Sequence, residues 1–150
     1  MSTRKSIDKF LSNKNIAVIG VSSKGRGFGV AVYEQLKYAG YKVFGVNKNG
    51  GKINNEIMFK SLGEISSKVD AVVTVIPPPE TEKIIDEMKM LSINQIWMQQ
   101  GSESEEAIEK CKSNGIDVIN GECILMFVEP VKSFHSFHRW INKLIRKYPN

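Results

Sequence analysis

At 150 residues, 41% hydrophobic and 25% charged, the chain has the size and composition of one soluble domain with a proper core. No stretch approaches the ~20 consecutive apolar residues of a membrane span. The opening Met-Ser-Thr-Arg-Lys-Ser lacks the apolar region of a signal peptide, so a cytoplasmic protein is expected. Cys111 and Cys123 are too few for a disulfide framework and match no zinc spacing, and both are expected to be reduced. Lys132, Arg139, Lys143, Arg146 and Lys147 follow the last acidic residue, Glu129, and supply the whole formal charge of +5. A balanced body with a basic tail is not the pattern of a nucleic-acid-binding domain, and no nucleic-acid partner is expected.

Taken in chain order, residues 6–13 carry Ile7, Phe10 and Leu11 at helical spacing and predict a short leading helix. Ile16, Ala17, Val18 and Ile19 form a short, largely β-branched run, the signature of a strand covered on both faces in a parallel sheet. Gly20 allows a sharp turn after that strand. Ser22, Ser23, Gly25, Gly27 and Gly29 then leave backbone amides uncovered where the next helix should begin. Such amides, backed by a helix dipole, cradle anions, and Lys24 and Arg26 add positive charge, so a phosphate is the simplest guest. The glycines at 20, 25, 27 and 29 depart from the dinucleotide fingerprint G-x-G-x-x-G, with Ser22 where its second glycine would stand. Tight turns also require glycine where no ligand binds.

Val30, Val32, Tyr33 and Leu36 continue as a helix that stops at Gly40, and residues 41–46 return as a strand, completing a βαβ unit. The polar, Gly- and Asn-rich residues 47–57 predict a loop, 61–65 one helical turn, and 69–76 a strand ended by Pro77, Pro78 and Pro79. A helix over 80–91, a strand over 93–98, a helix over 103–113 and a last strand over 116–119 follow. The alternation predicts an α/β fold, a Rossmann-like doubly wound parallel sheet of about five strands with helices on both faces, in one domain over residues 1–150. Ligands of such sheets sit at the carboxyl ends of the strands, here 20–29, 47–52, 76–79, 99–102 and 120–123.

An NAD site commonly offers a carboxylate after its second strand. This chain offers Asn47 and Lys48, with Lys52 nearby, which favours a phosphorylated ribose, hence coenzyme A or NADP over NAD. Read simply as solvated loop lysines, Lys48 and Lys52 carry no such preference.

The segments Val18-Ile-Gly-Val-Ser-Ser, Val46-Asn-Lys-Asn-Gly, Val75-Ile-Pro-Pro-Pro, Trp97-Met-Gln-Gln-Gly and Gly121-Glu-Cys together resemble the small single-domain CoA-binding proteins. These are similar in turn to the N-terminal CoA-binding domain of the succinyl-CoA synthetase alpha subunit. The resemblance spans about residues 15–126 and implies a domain that holds CoA or an acyl-CoA across the strand ends. It implies that Gly20, Ser22, Ser23 and Lys24 hold the phosphates and that Asn47 and Lys48 meet the ADP end; Gly29, read from the loop itself, is a further cofactor-binding candidate. Ile76, Pro77 and Pro78 would border the adenine or the pantetheine arm, and Gln100 and Gly101 the far side of the cleft; Cys123, by its own position just past the fifth strand, is expected to face the sulfur end. The family commonly has Asn-Pro where this chain has Asn47-Lys48.

Chemistry beyond binding has few residues to stand on. No Ser-His-Asp arrangement or acid–base carboxylate pair is evident, so enzyme activity is not the expectation. Cys123 could form a mixed disulfide with CoA only if its thiolate were stabilised, and burial as a structural cysteine is the commoner case. His135 and His138, with Cys123 or Glu129, lack a recognised metal-ligand spacing, so no metal is expected. Phe134, Phe137, Ile141, Leu144, Ile145 and Tyr148 predict an amphipathic basic helix over about 133–147. It is expected to dock on the domain's own sheet or on a second copy in a homodimer; a contact with another partner or a membrane surface is the alternative.

Overall fold

The structure, a computed structural model, describes residues 3–128. The expected C-terminal helix, with His135 and His138, lies outside the described residues. The leading helix α1 (Arg4–Leu11) is started by a capping box, in which Ser6 N donates to Thr3 Oγ1 (3.1 Å) and Thr3 N donates to Ser6 Oγ (3.0 Å). Its Ile7 and Phe10 are buried. The chain continues through β1 (Asn15–Ile19), α2 (Phe28–Tyr38) and β2 (Lys42–Val46). A small hairpin, β3 (Lys52–Ile53) and β4 (Glu56–Ile57), precedes two 3-10 turns. Then come β5 (Ala71–Thr74), α3 (Pro78–Leu91), β6 (Gln95–Met98), α4 (Glu105–Ser113) and β7 (Asp117–Ile119).

Five strands pair in parallel in the order β2-β1-β5-β6-β7. Because side chains alternate across a strand, each strand feeds two cores. Ile16, Val18, Val73 and Trp97 point into one with α1 and α2, while Ala17, Ile19, Val72, Ile96 and Met98 point into the other with α3 and α4. Trp97 is fully buried and packs edge-on against Phe10, ring centroids 5.4 Å apart, and tilted against Phe127 at 5.9 Å. The chain runs from β1 out to β2 and then back to β5 on the other side of β1, so α2 and α3 cover opposite faces. The exits of β1 and β5 are therefore the switch point where a crevice must open.

Two sequence expectations need correction. Residues 47–57 are not loop throughout: Asn54 and Asn55 both adopt positive φ (49° and 66°), the backbone a tight hairpin requires, and this folds β3 onto β4. The prolines also do more than end a strand. The sheet is left after Thr74, and Pro78 and Pro79 are the first two residues of α3, where a missing amide hydrogen leaves no bond unmade.

Candidate functional site

The turn after β1 is built around two close approaches. Gly20 has φ 108°, and a Cβ there would stand 2.2 Å from the carbonyl oxygen of Val75, so only glycine lets β1 leave the sheet beside β5. A Cβ on Gly29 would stand 2.1 Å from the carbonyl oxygen of Gly20, so the first turn of α2 rests directly on the end of β1. Gly27 caps α2 with no side-chain hydrogen bond, and the bond from Ala31 N to Gly27 O (3.1 Å) leaves the amides of Phe28, Gly29 and Val30 ahead of it. These are the orphan donors of a helix start, with the positive end of the dipole behind them. Lys24 and Arg26 are exposed on the same loop and form no ion pair among the described residues.

The loop after β2 is fastened to this turn. Gly20 N and Val21 N both donate to the carbonyl of Val46 (3.0 and 3.3 Å). Asn47 Nδ2 donates to Val21 O (2.8 Å), and its Oδ1 accepts from Asn49 N (2.8 Å). Asn47 thus shapes both loops at once. Lys48 reaches the other way, to Glu80 in the first turn of α3, with Nζ 3.4 Å from Oε1.

Between these parts lies a cleft of about 560 Å³ at the switch point. Its floor is apolar, from Ile19, Val46, Val75, Ile76 and Ile84; its rim carries Ser22, Asn47, Lys48, Lys60, Glu80, Lys83 and Glu87. An apolar floor under a few polar groups is how small-molecule sites are commonly made. Of the residues singled out by sequence, Gly20, Ser22, Asn47, Lys48 and Ile76 line this cleft. Ser23 instead abuts the turn at Gly51, and Gly29 acts through the helix start. Lys60, Glu80, Lys83, Ile84 and Glu87 were missed, although 80, 83, 84 and 87 follow the spacing of one helical face and could have been found that way. A second hollow, about 380 Å³, lies between α1 and β7 at the opposite end of the sheet.

Gln100, Gly101 and Cys123 do not line the cleft; they belong to a stitched region beside it. Gln99, which sequence reading passed over, is buried there; its Oε1 accepts from Ile124 N (3.1 Å) and its Nε2 donates to Cys123 Sγ (3.0 Å). Trp97 Nε1 donates to Glu122 O (3.0 Å), and Gln100 Nε2 donates to Gly121 O (3.4 Å). Ser102 Oγ accepts from Ile76 N (2.9 Å), which ties the exit of β6 to the segment leading through Pro77 into Pro78 and α3. Burial pushes the Cys123 thiol up, against a smaller downward pull from Gln99 and the amides of Leu125 and Met126. The thiolate that disulfide chemistry needs is disfavoured there. Cys111, fully buried in α4, is pushed up by burial to about 12.

The hairpin is clamped to α2 through Glu56. Tyr33 OH donates to Glu56 Oε2 (2.8 Å), Lys37 pairs with Oε1, and Lys37 Nζ sits 5.3 Å from the Tyr33 ring centroid. The Lys37 bond, then the Tyr33 bond, hold the Glu56 carboxyl below its ordinary 4.5. A carboxyl with a depressed folded value stabilises the fold above its ordinary range and loses that contribution as pH falls through the folded value. The E56Q protein is accordingly expected to be less stable than the parent at pH 7 by up to about 1 kcal/mol, since the pair is half exposed. Melts repeated from pH 7 downward should show that difference shrinking below pH 4.5; a gap that widens there counts against the clamp.

Comparison with known proteins bears on the same residues. A family model described as the CoA binding domain matches residues 14–129. The acetate–CoA ligase [ADP-forming] II subunit alpha of Pyrococcus furiosus is 26% identical over 129 residues, covering 79% of this chain and 28% of the ligase subunit. This chain thus spans a little over a quarter of that relative. The uncharacterized protein YneT of Bacillus subtilis is 29% identical over 112 residues, covering 75% of this chain and 83% of YneT. A solved structure of a conserved hypothetical protein from Pyrococcus furiosus superposes with a TM-score of 0.71 at 28% identity, over 75% of this chain and 97% of that one. No helix among the described residues is long and apolar enough to cross a membrane. Fold and sequence thus agree over the same stretch, and the chain belongs to the CoA binding domain family.

Proposed function

We propose that this chain binds coenzyme A, or an acyl-CoA, in the switch-point cleft and performs no chemistry on it by itself. The observation that carries the reading is an apolar-floored cleft of about 560 Å³ lined by Gly20 and Ser22, from the turn that leads into the uncapped start of α2, on a chain of a CoA-binding family. In this reading the diphosphate lies against the amides of 28–30 with Lys24 and Arg26 at hand, and the adenosine rests on Ile76 and Ile84. Lys48 meets the ribose phosphate. The pantetheine arm runs past Pro77 and Pro78 toward Gln100, Gly101 and Cys123. A passive role is supported by the protonated state that burial favours at Cys123. The module is taken to work in the cytoplasm.

Thermal melts with CoA, dephospho-CoA, NADP and NAD test this. A ligand at ~100 times its dissociation constant adds about 2.7 kcal/mol, roughly 5–10 °C for a chain of this size. CoA is expected to give that shift and NAD none. A shift with NADP alone would transfer the site to a nicotinamide oxidoreductase. An equal shift with dephospho-CoA would remove the role of Lys48.

A further inference from the structure

Among the described residues, one ion pair spans the cleft, Lys48 with Glu80; the remaining pairs lie away from it. Lys48 comes from the loop after β2 and Glu80 from the first turn of α3, so the pair bridges the two walls. Its side chains are 79% and 41% exposed, which makes the bond weak and exchangeable. Glu80 itself is anchored, because a carboxylate in the first turn of a helix is favoured by the dipole. The cation that the CoA reading assigns to the ribose phosphate therefore already has a carboxylate beside it.

We propose that Glu80 is a resident counter-anion of Lys48, exchanged when a phosphate monoester enters, and that it tempers the affinity of the cleft for such ligands. The proposal rests on the reading of the cleft as a site for a phosphorylated adenosine coenzyme. The physical basis is charge: a phosphate monoester carries −1.5 to −2 near pH 7 and competes successfully with a single carboxylate for one ammonium. A ribose hydroxyl cannot. A ligand without the monoester leaves the Lys48–Glu80 pair in place and does not sense Glu80.

Calorimetric titrations of the full chain with CoA and dephospho-CoA, on the parent, E80Q, K48M and the double variant, test this. E80Q is expected to bind CoA roughly three- to fivefold more tightly, with dephospho-CoA unchanged within twofold. K48M is expected to weaken CoA roughly tenfold and to abolish the gain from E80Q. The counter-anion role is overturned if E80Q weakens CoA, strengthens both ligands alike, or keeps its full gain in the K48M background. A parent protein that binds neither ligand overturns both this proposal and the CoA reading beneath it. A parent that binds CoA while E80Q changes nothing overturns the proposal alone.

Discussion

Replacing Gly20 with alanine is expected to lower the melting temperature by roughly 10–15 °C and to abolish any melt shift by CoA. Two costs add. At φ 108° a side chain strains the backbone, by roughly 1–3 kcal/mol. The new Cβ would also lie 2.2 Å from the carbonyl oxygen of Val75, a backbone atom that can retreat only if β5 moves away from β1. The strands are paired along Ile16 to Ala71 and Ile19 to Thr74, so that retreat breaks the ladder at the switch point. The companion variant is Gly25→Ala, whose Cβ has nothing within 4 Å and whose φ of 72° leaves only the conformational cost, about 1–2 kcal/mol. Differential scanning of both proteins separates the two costs. A Gly20→Ala protein melting within a few degrees of the parent would mean that the turn does not need its glycine.

Trp97→Ala is expected to destabilise the domain by about 4 kcal/mol, the usual range for emptying a large buried aromatic. Trp97 is fully buried at the centre of the α1–α2 core, holds Phe10 and Phe127 in aromatic contact, and caps the carbonyl of Glu122 with its indole N–H. Its loss leaves a cavity and an unmade hydrogen bond together. Trp97→Phe fills most of the space but frees the Glu122 carbonyl, so about 1–2 kcal/mol is expected. Denaturant unfolding of the pair measures both. Equal losses in the two variants would show that the hydrogen bond, and not the packing, dominates.

Much of the fold was readable from sequence because its signals were local. The run Ile16 to Ile19 and the stop at Gly40 each impose their element by steric or hydrophobic necessity and lie where expected, whereas β5 ends at Thr74, before the prolines. The hairpin was not readable, since two-residue strands carry no periodicity and Asn54 and Asn55 signal a turn without saying what it joins. The prolines misled for a related reason: Pro78 is as compatible with starting a helix as with stopping a strand, and only the tertiary path decides. At the site, Gly20 and Asn47 stood out because loop chemistry is written in residue type. Glu80, Lys83 and Glu87 did not, because charged residues on a helix read as a solvent face whether or not that face overhangs a crevice. Gln99 failed the opposite way: a polar residue after a strand reads as exposed loop, yet its bonds to Ile124 and Cys123 hold it inside.

Val46 gives a single carbonyl oxygen to two consecutive amides, those of Gly20 and Val21. Two neighbouring exits from the sheet therefore pivot on one atom. The outermost strand thus helps fix the glycine turn at the mouth of the crevice, and a substitution that disturbs the end of β2 is felt at the turn through that shared carbonyl.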